Sequence, residues 1–304
     1  MEAWVTLARL AQYLAAASLF GTPLFLAYAP SAAAARGRRP RALAIGSALL
    51  LASGAGGYWM VQTGLMAGDP AAASDPELLR SVLLESAVGY AILARFGAAL
   101  TAAAATLVLR PGRPLWLVLA SSGGVALASF AWTGHGAADE GGAGLIHLAA
   151  DLVHLLGAGV WLGALAAFAL LLRVPGSLTR DEASDLHDAL RRFACVGSAA
   201  VAAIVASGLV NSWFLVGPNG LPSFLQTTYG WLLCGKLALF AAMLALAARN
   251  RFAHTPSLAE GLDRRDSLPA LHALRTSVGV EMALGVLVLA AVSWLGITPP
   301  PSAG

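Results

Sequence analysis

The sequence is short of charge and has almost no lysine. Asp, Glu, Lys and Arg together make up 12% of its 304 residues, where an ordinary soluble domain has about a quarter. Lys236 is the only lysine. So little charge beside 58% hydrophobic residues excludes a soluble domain with a solvated surface and points to an integral membrane protein. The net charge of +3 could suit nucleic acid. The arginines, however, sit in short stretches between apolar runs, which is membrane topology rather than a phosphate-binding face, and no nucleic-acid partner is expected. Cysteine is scarce too. Cys195 and Cys234 stand apart inside apolar runs, which excludes a disulfide framework and a Cys-x-x-Cys zinc or redox site. The chain also lacks a phosphate-binding loop, paired catalytic carboxylates and a nucleophile–base constellation. ATP hydrolysis and enzymatic activity in general are therefore not expected.

What the sequence does have is long apolar runs. A spanning helix takes about 20 mostly apolar residues. Eight segments qualify, at roughly 4–29, 42–66, 86–109, 115–133, 145–172, 193–215, 227–248 and 274–296. Runs this long and unalternating are helices rather than barrel strands. The expected fold class is an all-α integral membrane protein with eight transmembrane helices. "MEAWVTLARLAQYL" at the start lacks a basic n-region and a clear cleavage site, and reads as the first span rather than a removable signal. "DPELLRSVLLES" (75–86) is a short amphipathic piece expected at the membrane surface.

Arginine placement orients the spans. Arg36, Arg38, Arg39 and Arg41 fall in the first connection, and Arg110 and Arg113 in the third. Arg173, Arg180, Arg191 and Arg192 fall in the fifth, and Arg249, Arg251, Arg264, Arg265 and Arg275 in the seventh. The even connections hold only Arg80. Positive-inside bias puts the odd connections in the cytoplasm and both termini outside. The "GHGAADEGG" connection between the fourth and fifth spans is then extracytoplasmic.

A faint internal repeat runs through the chain. "GYAILARFGAAL" from Gly89 resembles "GWLLCGKLALF" from Gly230, each with a base six residues after its glycine, Arg95 and Lys236. "LFG" at 19–21 falls on "WLG" at 161–163, "ASG" at 52–54 on "ASG" at 206–208, and "WTG" at 132–134 on "WLG" at 294–296. Each half holds an even number of spans, so two parallel four-helix repeats are expected, residues 1–133 and 134–304, within one membrane domain.

The chemistry concentrates in "HLAADLVHLLGAGVWLG" (147–163). His147, Asp151 and His154 lie at i, i+4 and i+7, on one helix face near the outer surface. Gly159-x-x-x-Gly163 would let a neighbouring helix come close. His135, in "WTGHG", ends the preceding span at the same level. Imidazoles suit copper or zinc, and a nearby carboxylate can ligate or orient a ring. A histidine at a helix end can also simply hydrogen-bond water, and His147 is open to both readings. His187, His254 and His272 fall in or beside cytoplasmic connections and read as solvated. Met60 and Met66, toward the outer end of the second span, are candidate soft ligands; ordinary apolar packing is the competing reading. Trp59, Trp132, Trp213 and Trp294 read as an interfacial aromatic belt. Lys236, Arg95 and Glu281 are intramembrane ions that need partners. Glu281 is expected to pair with Lys236 or Arg95, as a structural ion pair or a relay. Gln12 occupies the repeat position of His154.

These motifs resemble a known family. "DLVHLLGAGVWLGAL" (151–165) is similar to the D-x-x-H-x-x-x-x-x-x-W-x-G signature of the copper resistance protein D (CopD) family. "TTYGWLLCGKLALFAAMLALAARNR" (227–251) resembles its Y-G-x-x-L-x-x-K…N-R segment. "LRTSVGVEMALGVLVLAAVSWLGITPP" (274–300) resembles its last helix, and "WTGHG" its G-H turn. The resemblance covers roughly 130–300 in motifs and the first four spans in count and pattern. It implies an eight-helix bacterial inner-membrane protein that handles copper without ATP, with a periplasmic copper-binding partner of the CopC type. Carried over by position, His135, Asp151 and His154 match the motif, while His147 does not. Metal ligands must be deprotonated, so copper binding should weaken as pH falls through histidine titration. Two other readings stay open: a b-type membrane cytochrome with haem between His135 and His154, and a non-transporting scaffold for copper-enzyme assembly.

Overall fold

The computed structural model describes residues 2–29, 37–134, 141–172 and 178–303. Among these residues the ordered elements are helices, with no strand. Eight of them are long and apolar enough to cross a membrane, so the expected class and count hold. In chain order the main helices are α1 (Glu2–Tyr28), α2 (Arg38–Ala67), α3 (Pro76–Glu85), α4 (Ala87–Val108), α5 (Arg113–Ala128), α6 (Gly141–Leu172), α7 (Arg180–Leu215), α8 (Thr228–Arg249), α9 (Thr255–Arg264) and α10 (Leu268–Leu295). A 3-10 turn, Ser129–Thr133, extends α5, and a π turn, Asn250–His254, joins α8 to α9. The short helix α3 is the amphipathic piece. Its Asp75 N-cap accepts from the Glu77 and Leu78 amides, and none of its residues is buried.

Two helices run further than their apolar runs. The sixth span begins at Arg180 rather than near 193. Thr179 and Glu182 form a reciprocal capping box there, which satisfies two amides that a helix start otherwise leaves orphaned. Ala183, Leu186 and Ala189 are buried at helical spacing, and this part of α7 packs on α9. Arg180, Arg191 and Arg192 therefore ride on a helix. Hydropathy misses such an extension because only one face is apolar. The seventh span continues through the π turn to Arg264, with Leu258 and Gly261 buried.

The first helix is the axis of the bundle. It packs against α2, α5 and α6. Its approach to α6 is glycine on glycine. A Cβ on Gly21 would overlap the Gly159 carbonyl oxygen, and one on Gly163 would overlap the Gly21 Cα. The small-residue pair expected from the sequence thus lets two backbones touch. Thr22 Oγ1 donates to the Gly163 carbonyl at 2.9 Å across the same seam. Leu19, Phe25, Trp116, Phe130, Trp161 and Phe168 fill the surrounding core. The outer members are α7, leaning on α6, and α8, leaning on α10. Leu209, Trp213, Trp231 and Leu237 on their outward faces are exposed, where lipid would cover them.

Candidate functional site

His147, Asp151 and His154 project from α6 into one cavity of about 130 Å³. Tyr229 and Lys236 of α8, Asn211 of α7, and Arg9 and Tyr13 of α1 complete its polar wall. Helical spacing on one face is what brings the three α6 side chains there.

Each is held differently. His154 Nδ1 lies 3.1 Å from the Ile204 carbonyl oxygen and 3.2 Å from Ser207 Oγ. A carbonyl can only accept, so Nδ1 carries the proton and Nε2 keeps its lone pair, the form that binds a metal. Asp151 Oδ1 accepts from Asn211 Nδ2 at 3.4 Å. Its Oδ2 sits close to Gly134, the last described residue before His135: a Cβ built there would lie 3.9 Å away. His147 is 2% exposed, and its ring stacks on Phe214, centroids 4.7 Å apart and nearly parallel. Among the described residues, no three His, Cys, Asp or Glu side chains converge closely enough to hold a metal ion. His135 lies outside the described residues. The turn that leads to it is clamped twice. Arg9 Nη1 donates to the Thr133 carbonyl at 3.2 Å, and Arg95 Nη2 donates to Thr133 Oγ1 at 2.8 Å.

The intramembrane ions are arranged differently from expectation. Glu281 pairs with neither Lys236 nor Arg95. Its Oε1 accepts from Trp161 Nε1 at 2.8 Å and its Oε2 from Asn250 Nδ2 at 3.1 Å. Helical rise accounts for the mismatch. Asn250 lies fourteen residues beyond Lys236 on the same rod, and Glu281 shares its level with Asn250, so it is a long way from Lys236. Lys236 instead faces the cavity lined by His154. Arg95 is neutralised by dipoles. It donates to Gln12 Oε1 at 2.9 Å and to Ser129 Oγ at 2.9 Å, and its guanidinium lies 3.9 Å from the Phe130 ring centre. Nothing in the sequence marks Asn250 or Trp161 as partners of this carboxylate. Trp161 sits in the D-x-x-H…W-x-G segment and Asn250 in the N-R pair, and neither carries a charge.

Met60 and Met66 are 45% and 54% exposed and do not line the cavity. Cys195 is exposed and Cys234 half-buried, both as free thiols.

Comparison with known proteins adds the family. Residues 1–145 match the model for the copper resistance protein D-like N-terminal domain, and residues 187–295 the model for copper resistance protein D. The first match extends the likeness to the N-terminal half. The chain is 42% identical over 221 residues to copper resistance protein D of Pseudomonas syringae pv. tomato, covering 72% of this chain and 71% of that protein. It is 30% identical over 170 residues to inner membrane protein YebZ of Escherichia coli (strain K12), covering 56% of this chain and 55% of YebZ. It is 29% identical over 171 residues to copper transport protein CutJ of Bacillus subtilis (strain 168), covering 56% of this chain and 28% of CutJ. No solved structure gives a significant match. With these matches and its eight apolar helices, the chain belongs to the copper resistance protein D family, as a multi-pass inner-membrane protein with a role in copper handling.

Proposed function

We propose that the protein carries copper across the inner membrane without ATP and takes the ion up in the outer cavity. His154 Nε2 and the Asp151 carboxylate are the first ligands, His135 completes the set from the adjoining connection, and His147 stands one turn further out. The observation that carries this reading is the His154 imidazole. It is fixed by its Nδ1 bond to Ile204 so that Nε2 is the free nitrogen, in the same small cavity as the Asp151 carboxylate, in a chain of a copper resistance family. Met60 and Met66 are left out of the ligand set because they face away. A cavity of 130 Å³ suits a metal ion and is well below the about 300–1,000 Å³ of pockets that hold organic ligands.

Transport, rather than storage, is supported by a second cavity further in. It is lined by Trp161 and Leu165 of α6, Val201 of α7 and Leu244 of α8. His154 and Trp161 are seven residues apart, a rise of about 10 Å. Ile204 packs at Gly157 in the layer between. Two chambers on the same helices, parted by a thin apolar layer, suit alternating access. A separate periplasmic copper-binding protein of the CopC type would deliver the ion.

The test is copper binding and copper flux in reconstituted vesicles. Wild type should bind and pass copper, and His154→Ala should lose both by at least tenfold. Unchanged affinity in His154→Ala and His135→Ala would remove the site, and binding without flux in wild type would leave a copper-holding scaffold.

A further inference from the structure

The inner cavity has a volume of about 780 Å³ and runs between α6, α7, α8 and α10. Its walls are mostly apolar, as at Phe168 and Leu244, and Arg191 and Arg251 mark the arginine-bearing end. Glu281 lines it while only 2% exposed. Among the described residues no lysine, arginine or histidine forms an ion pair with this carboxylate. An ionised carboxylate at this depth with only two neutral donors is expensive to keep.

A second observation points the same way. Asn250 Oδ1 is buried and has no hydrogen-bond partner, although Asn250 Nδ2 is bonded to Glu281. The π turn that begins at Asn250 adds a residue to the helical turn and presents this amide to the cavity; such turns are frequent at functional sites. One proton would remove the buried charge and give Asn250 Oδ1 a donor. A protonated Glu281 Oε2 becomes a donor, and once the Asn250 amide turns over, its Oδ1 accepts that O–H.

We propose that Glu281 is a proton-binding site reached from the inner cavity, with Asn250 as the partner that fits both its forms. The proton comes from a hydronium in the cavity and forms the Oε2–H bond; on release it returns to cavity water. No oxidant or reductant is involved. The donor set, one carboxylate and one amide oxygen, is hard and lacks imidazole or sulfur, so it does not suit Cu(I). The charged groups that face the cavity are bases, His187 and Arg191 from α7 and Arg251 from the π turn, and they oppose entry of a metal cation. Arg251 is itself tied to Ser198 Oγ at 2.6 Å. Arg275, on the same helix as Glu281, is turned to the Leu172 carbonyl. From α6 the group that meets Glu281 is the neutral Trp161. The use of the proton rests on the transport reading above: a carrier without ATP can exchange a proton for copper.

Infrared difference spectroscopy between alkaline and acid pH, on copper-free protein in vesicles, tests the site directly. Wild type should show the carbonyl stretch of a buried carboxylic acid appearing on acidification. The isosteric Glu281→Gln should lack that band, and Asn250→Leu should keep it at a shifted frequency, as its acceptor is gone. Wild type and Glu281→Gln titrating identically would overturn the site. A trapped pH dye then reads coupling: copper entry with opposite proton flow in wild type, at least tenfold less proton flow in Glu281→Gln. Copper flux without proton movement would overturn the exchange role. A titrating band in a wild type that moves no copper would uphold the proton site while removing the transport reading.

Discussion

Lys236 and Arg9 put two positive charges in the wall of a cavity that we assign to a cation. Arg9 is occupied, donating to Thr133 and to Tyr13 Oη. Lys236 opposes the incoming ion and shares the field of Asp151. Even in a partly screened interior, a unit charge several ångströms off is worth about 1–2 kcal/mol. Lys236→Met should therefore tighten copper binding roughly tenfold, as read by competition titration; weaker binding would mean that the lysine helps to hold the site together. Arg95 is the contrasting case. Its guanidinium satisfies Gln12, Ser129 and Thr133 at once. Arg95→Met should cost about 3 kcal/mol or more, seen as a lower melting temperature in detergent, and Arg95→Lys should recover only part of it because lysine has no planar fork. Reading from sequence brought His147, Asp151 and His154 to one cavity because a single helix face decides that. It failed for Glu281, because the partner of a buried ion depends on which helices meet and at what level. Opposite charge is the obvious guess, and here two neutral donors, Trp161 and Asn250, took that place.

The seam between α1 and α6 is closed backbone to backbone. A side chain on Gly163 has no space, since the Gly21 backbone already fills it. Gly163→Leu should prevent assembly, read as loss of a monodisperse peak in detergent. Gly97 on α4 is the control: a Cβ there meets nothing, and Gly97→Ala should gain about 0.5–1 kcal/mol from helix propensity. At the start of α7, Thr179→Ala removes the capping box and should cost about 1 kcal/mol, visible as faster amide exchange over 180–186. The small-residue pair was legible because its spacing is local. The length of α7 and the π turn after α8 were not. Burial of one face of a polar helix and a single extra residue in a turn leave the hydropathy trace almost unchanged.

The eight spans and the sidedness of their arginines together define a topology that chemistry can check. In a background with Cys195 and Cys234 replaced by alanine, Asp69→Cys should react with a membrane-impermeant thiol reagent from outside. Asp266→Cys, on the arginine side, should react only after the membrane is opened. The reverse pattern would invert the orientation and place the His154 cavity on the cytoplasmic side. The central position of α1 also bears on how the chain is made. This helix emerges from the ribosome ahead of α5 and α6, carrying Arg9 and Gln12, both buried in the finished bundle. Arg9 finds Thr133, and Gly21 finds Gly159 and Gly163, only after more than a hundred further residues have been synthesised. Until then a polar helix waits in lipid or at the insertion machinery. The innermost helix is thus made well before the partners that complete it, and damage to its contacts should show first as degradation of the newborn chain.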